Sequence, residues 1–189
     1  MSHSGYLNSY LQRVSGAIDS INTNELGALA NAIMAAVASG GQVLYLGNGG
    51  SAATATHYVN DLVMAYARTG RVIRASSLSD NAALVTGISN DYSFDEVFAY
   101  QLKATAQSGD LVVAISASGN SPNLIRAIEY AGSVGMTTAA VLGFDGGKLK
   151  GMVDVAVHIP TELGDYGPAE DAHLVVNHAI AGAIRASRD

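Results

Sequence analysis

The chain has 189 residues, a formal net charge of −6 and no cysteine, which suits one α/β unit with a sizeable core and excludes disulfide frameworks and thiolate chemistry. The acidic balance and the lack of any Lys/Arg run argue against nucleic acid as a partner. Only 14% of the residues are charged, against about 25% in typical chains, so much of the surface is expected to be buried against other subunits. The start, Met1-Ser2-His3-Ser4-Gly5, has no basic stretch leading into an apolar one, and no uninterrupted apolar segment is long enough to span a bilayer. The expected setting is cytoplasmic, with no membrane partner.

Leu7, Tyr10, Leu11, Val14, Ile18 and Ile21 recur at helical spacing, as do Leu26, Leu29, Ile33 and Val37, with Thr23 or Asn24 as the expected cap between them. Residues 1–40 therefore read as two leading amphipathic helices that cover a sheet or, more in keeping with the low charge, serve assembly. Residues 41–189 read as the α/β core of the same single domain. Strands are expected at 42–46, 71–76, 110–115, 137–142 and 153–158, and helices near 51–67, 79–89, 93–106, 122–134, 145–150 and 168–186. Near-continuous apolar strands alternating with helices imply a three-layer α/β/α fold around a parallel, flavodoxin-like five-stranded sheet. Ligand sites in such sheets lie at the carboxyl ends of the strands.

Two serine-bearing loops fall at those ends. Gly47-Asn48-Gly49-Gly50-Ser51 follows Val43-Leu44-Tyr45-Leu46, and Ser116-Ala117-Ser118-Gly119-Asn120-Ser121 follows Leu111-Val112-Val113-Ala114-Ile115. Free N–H groups at a helix start attract anions, glycine allows close approach, and hydroxyls add donors without charge. Side by side, the loops would cradle the phosphate of a small phosphorylated ligand. Singly, Ser51 and Ser121 would be ordinary N-caps and the glycines would only turn the chain. Three hydroxyls at Ser116, Ser118 and Ser121, with Pro122 opening a helix, favour the phosphate site. Gly47–Ala52 also matches the dinucleotide fingerprint, but the following strand offers no carboxylate for a ribose, and only Arg74 would suit a 2′-phosphate. No Gly-Lys-Ser/Thr follows the glycines, so no nucleotide cofactor is expected.

His57 and Asp61 are four apart on the helix after the first loop and share a face. Glu170 and His178 lie two turns apart on the last helix. Two imidazoles and two carboxylates can hold a divalent metal or perform acid–base chemistry. Plainer roles exist for each: a surface His–Asp contact, a first-turn carboxylate at Glu170 and a core histidine at His178. Eight helical residues span about 12 Å, so Glu170 and His178 meet one ion only by leaning towards it or by coming from different subunits. His3, His158 and His173 are expected to be structural or solvent-facing. Asn90-Asp91 fits a helix end, or a reach towards the ligand.

Gly47–Ala53 with His57, Ser89-Asn90-Asp91-Tyr92, Ile115–Ser121, Gly143-Phe144-Asp145-Gly146-Gly147-Lys148-Leu149, and Glu170-Asp171-Ala172-His173 with His178 together resemble the sugar isomerase (SIS) domain family, within it the phosphoheptose isomerases. The resemblance covers nearly the whole chain. It implies a homotetramer with active sites between subunits, and conversion of sedoheptulose 7-phosphate into D-glycero-D-manno-heptose 7-phosphate. By position it implies that Asn48, Gly49, Gly50, Ser51, Ser116, Ala117, Ser118, Asn120 and Ser121 hold the phosphate and nearby sugar oxygens. Asn90, Asp91 and Glu170 would contact the sugar. His57, Asp61, Glu170 and His178 fall on the family's zinc-ligand positions, and Asp61 and His178 also on its proton-transfer pair.

Three positions depart from that family. Asp61 stands where glutamate is usual, a loss of about 1.5 Å of reach that suggests a re-cut site, because small misplacements are costly in rate. Glu170 stands where glutamine is usual; as a second carboxylate ligand it would make the site more metal-dependent. Ala65 stands where arginine is usual, with Arg68 one turn later as a substitute. Two alternatives follow: an isomerase for a different ketose phosphate, or a non-catalytic relative that senses phosphosugars or binds a replication initiator. Retention of His57, Asp61, Glu170 and His178 favours the enzyme.

Overall fold

A computed structural model describes residues 2–67 and 72–187. Among them the order is α1 (His3–Asp19), α2 (Thr23–Ala38), β1 (Gln42–Gly47), α3 (Gly50–Ala67), β2 (Arg74–Ser77), α4 (Ala82–Asp91), α5 (Val97–Thr105), β3 (Leu111–Ser116), α6 (Pro122–Ser133), β4 (Thr137–Leu142), β5 (Val155–His158) and α7 (Tyr166–Ala186). Short 3-10 turns occupy Phe94–Glu96 and Lys148–Gly151. The five strands are all parallel in the order β2-β1-β3-β4-β5. The strand order reverses between β1 and β3, the place where such sheets take ligands. Register pairs Gly47 with Ile115, which sets the two serine loops side by side.

Alternation along the strands builds the three layers. Val43, Tyr45, Val113, Ile115 and Val141 face one way and pack with Leu29 and Ile33 of α2, Tyr58 and Leu62 of α3, and Val176 and Ile180 of α7. Leu44, Leu46, Val112, Ala114 and Leu142 face the other way, against Ile88, Phe98, Leu102, Leu124 and Ile128 of α4, α5 and α6. All six residues of β3 are buried, as a central strand covered on both faces requires. Each fully buried Val, Leu or Ile side chain stabilises the fold by about 1.5–3 kcal/mol, which is why the runs carry no polar face.

The leading helices complete the first of these layers within the chain. Tyr10 donates its hydroxyl hydrogen to Asp171, and Arg13 Nε donates to Asp165 Oδ2 at 2.6 Å, so α1 clamps the first turns of α7. The bond to Asp171 is the main cause that raises the Tyr10 phenol to about 12. Glu25 of α2 accepts from the His158 N–H at 2.8 Å. The outer row of α1, Tyr6, Leu7 and Leu11, is left 55–64% exposed. No helix among the described residues is long and apolar enough to cross a membrane.

Local chemistry moves several boundaries. The cap of α2 is Asn22, whose side chain accepts from the Asn24 N–H at 2.9 Å, rather than Thr23 or Asn24. Asn81 caps α4 and delays its start to Ala82. The helix expected over 145–150 is a turn instead, because Gly146 (φ 87°) and Gly147 (φ 53°) take left-handed conformations, and one 3-10 turn follows. α7 starts at Tyr166, two residues earlier than expected, and Pro168 sits harmlessly in its first turn. β2 starts at Arg74; Arg68, and Arg71 at the head of the expected strand, lie outside the described residues.

Candidate active site

β1 and β3 turn into α3 and α6 at the same end of the sheet, and their loops enclose a cavity of about 130 Å³. Its polar lining is Asn48, Ser51, Ser116, Ser118, Ser121 and Glu170, with the Tyr166 ring at one side and no lysine or arginine among the described residues. Ser51 is the second residue of α3, past the capping position, and Ser121 precedes α6 without making a side-chain cap bond. Ser116 Oγ accepts from the Gly119 N–H at 3.0 Å and Ser118 Oγ from the Asn120 N–H at 3.3 Å, which curls the loop on itself. Asn48 and Asn123 exchange two amide hydrogen bonds of 2.9 Å and tie the two loops together. Sequence reasoning does not single out Asn123, since a lone asparagine in the first turn of a helix carries no distinguishing signal.

Glycine is required where the loops meet. Gly119 (φ 61°) has no room for a side chain, because a Cβ would sit 2.0 Å from the Gly146 carbonyl oxygen. The loop after β4 thus backs the serine loop, and Asn120 Oδ1 accepts from the Lys148 N–H at 3.1 Å rather than facing the cavity. Phe144, held at φ 45°, packs edge-on against Tyr166 with ring centroids 5.0 Å apart.

Glu170 joins this cavity to a second one. A Cβ on Gly50 would lie 2.5 Å from a Glu170 carboxylate oxygen, so that carboxylate rests against the first turn of α3. There the free N–H groups carry partial positive charge. The second cavity, about 290 Å³, is lined by Gly50, Thr54, His57, Glu170 and Asp171 among others. α3 and α7 run alongside one another in the same direction, bridged by the Tyr58 hydroxyl donating to the His173 carbonyl at 2.7 Å.

Further along the same two helices, three expected residues converge. His57 Nε2 and His178 Nε2 are 3.2 and 3.4 Å from Asp61 Oδ2 and 3.2 Å from each other. A four-coordinate ion with bonds of about 2.0–2.1 Å holds its ligand atoms about 3.3 Å apart, so two imidazoles and one carboxylate at this spacing fit a divalent cation. Glu170 is not in this group; among the described residues the grouped ligands are His57, Asp61 and His178. Two turns of α7 carry Glu170 to the serine cavity instead, so one chain brings three of the four expected ligands together. His178 is largely exposed rather than a core histidine. Asn177 Nδ2 donates to Asp61 Oδ2 at 2.8 Å and Asn60 Nδ2 to Asp61 Oδ1 at 3.0 Å.

The SIS domain family model matches residues 5–143. The phosphoheptose isomerase of Geobacter metallireducens is 36% identical over 92% of this chain and 90% of its own length. This chain belongs to the SIS domain family, in its phosphoheptose isomerase branch. The solved phosphoheptose isomerase of Neisseria gonorrhoeae superposes with a TM-score of 0.86 at 30% identity, covering 97% of each chain. That of Francisella tularensis gives 0.90 at 26% identity, covering 99% of this chain and all of the other.

Other positions in this SIS domain fall away from the cavity. Asn90 and Asp91 end α4 on the surface, paired with each other at 2.9 Å, and line neither cavity described above. Ala65 is buried in the first core layer. His173 is completely buried and its ring nitrogens make no hydrogen bond of good geometry among the described residues. Desolvation pushes it down from 6.5 to about 4, against a smaller opposing effect of the Leu142 backbone. His158 is structural, its Nε2 lying 3.0 Å from the Phe144 carbonyl.

Proposed function

We propose that this protein is a phosphosugar ketose–aldose isomerase that converts sedoheptulose 7-phosphate into D-glycero-D-manno-heptose 7-phosphate. The observation that carries the reading is the continuity, through Glu170, of a hydroxyl-lined cavity with the His57–Asp61–His178 group. The phosphate belongs among Ser51, Ser116, Ser118 and Ser121, with Asn48, Gly49, Gly50, Ala117 and Asn120 shaping the loops around it. Ser51 and His57 are six helical residues apart, about 9 Å. An extended seven-carbon chain spans roughly 7.5 Å, given carbon–carbon bonds of about 1.5 Å. A phosphate on the last carbon therefore leaves the first two carbons near the histidines.

The reaction needs one group to take a proton from C1 as the C1–C2 double bond forms and the C2 oxygen is protonated. A proton is then returned to C2 while the C1 oxygen loses its own, and the aldehyde results. Asp61 and His178, 3.4 Å apart on facing helices, form the pair that holds and moves these protons. Closely set preorganised groups act here without the reorganisation that water would need. His57, Asp61 and His178 would hold a divalent cation, zinc in this proposal, which supplies Lewis-acid stabilisation of the enediolate oxygen. The proposal extends to a cytoplasmic homotetramer with active sites between subunits, supported by the exposed apolar row Tyr6, Leu7 and Leu11. In such an assembly Asn90 and Asp91 would reach sugar hydroxyls across the interface.

Incubation with sedoheptulose 7-phosphate in deuterated water, followed by NMR, tests the reading. Asp61→Asn and His178→Gln should each abolish turnover and exchange of the proton beside the carbonyl while phosphosugar binding persists. Unchanged turnover in both variants removes the assignment. Wild-type binding without any exchange would favour a non-catalytic phosphosugar sensor, and exchange with other ketose phosphates alone would change the substrate.

A further inference from the structure

We propose that Asn177 is a positioning residue that aims the Asp61 carboxylate at the two imidazoles. The inference rests on the metal-assisted reading above. Asp61 Oδ2 accepts from Asn177 Nδ2 at 2.8 Å while lying 3.2 and 3.4 Å from the two histidine nitrogens. The His57 and His178 side chains are 45% and 60% exposed, whereas Asn177 is 4% exposed in the seam between α3 and α7. The fixed point of the cluster is thus the amide rather than either imidazole.

Its chemistry suits that task. Val176 and Ile180 beside it on α7 belong to the apolar core, so an apolar side chain would fill the seam equally well. A buried amide is retained at a cost unless it is bonded, and here the bond goes to Asp61. An amide N–H is a neutral donor, so it fixes the carboxylate plane without adding a cation that would compete with a metal. It occupies one lone pair of Oδ2 and leaves the other free for the side where the two histidines lie. Asn177 and His178 are neighbours on α7, so one short segment supplies both a candidate ligand and the brace for another. Outer partners of this kind orient ligands and tune the ion.

The test is Asn177→Leu, nearly the same size and able to pack. Cobalt(II) serves as probe, titrated by its visible absorption, alongside kcat and KM for sedoheptulose 7-phosphate. The cobalt Kd should rise about 10- to 100-fold and kcat should fall about 10-fold or more, with KM within about twofold and the thermal midpoint unchanged. Adding Asp61→Glu to that variant should return the cobalt Kd to within about threefold of wild type, since the longer carboxylate reaches without the brace. Cobalt affinity and kcat within about twofold of wild type in Asn177→Leu would overturn the proposal, as would a wild-type chain that binds no cobalt. If Asn177→Leu does not fold, Asn177→Ser takes its place, with the same shifts in cobalt Kd and kcat expected and the same absence of them overturning the proposal. A wild-type protein that never turns over the heptose phosphate, yet shows the cobalt difference, removes the functional reading and leaves this inference standing.

Discussion

Glu170→Gln is the most informative single change in this molecule, because it removes one charge and almost nothing else. The serine cavity is neutral apart from this carboxylate, and a phosphate monoester carries about −1.5 to −2 charge near neutral pH. A cavity of about 130 Å³ places an anion at its centre roughly 5 Å from a carboxylate on its wall. There a carboxylate and an anion of that charge repel by about 1.2–1.7 kcal/mol in water and about 5–6.6 kcal/mol at an effective dielectric of 20. Glu170 is half-buried and the cavity is open on one side, so the lower part of that range applies, about 1–2 kcal/mol. The variant should therefore bind inorganic phosphate about 5- to 30-fold more tightly and show a KM for the heptose phosphate lower by a similar factor. The gain should shrink at high salt. Competition by inorganic phosphate, read as an inhibition constant at two ionic strengths, measures it directly. Phosphate affinity that is unchanged or weaker would refute the electrostatic argument. A cobalt Kd raised by the same change would restore Glu170 as a fourth metal ligand, contributed across subunits.

Two further outcomes follow from packing and burial. Gly119→Ala forces a left-handed residue into contact with the Gly146 carbonyl, so it should cost about 2 kcal/mol or more in a urea melt and weaken phosphate binding; an unchanged midpoint and affinity would contradict it. His173 is neutral in the fold down to about 4 but takes up a proton near 6.5 when unfolded. The unfolded state thus binds the extra proton first, and stability should fall as pH drops through that window, by up to about 1.4 kcal/mol per unit and about 3 kcal/mol in all. His173→Leu should flatten that slope between pH 7 and 4.5, and parallel slopes in the two proteins would rule the residue out.

What the chain reveals before folding depends on the range of the signal. Strands such as Leu111–Ser116 follow from local apolar runs, and both serine loops from residues adjacent in sequence. The 145–150 segment departs from its helical expectation because its glycine pair takes positive φ, a property of the turn and not of apolar spacing. Asn123 and Asn177 leave no trace in the sequence because each is a single amide whose partner lies 75 or 116 residues away. Chemistry groups Glu170 with His178, the helical rise of about 12 Å between them already sets that grouping in question, and the pairing of α7 with α3 places each beside different partners. These helices lie side by side with their starts together, so each carries two stations. Ser51 and Glu170 meet at the serine cavity, and His57 and Asp61 meet His178 some two turns further on. On the proposed reading, the rise of two adjacent helices, about 9 Å on α3 from Ser51 to His57 and about 12 Å on α7 from Glu170 to His178, would set the distance between a bound phosphate and the carbons that react. A ligand with a shorter chain would then leave one station empty, so helical pitch would contribute to selectivity for chain length.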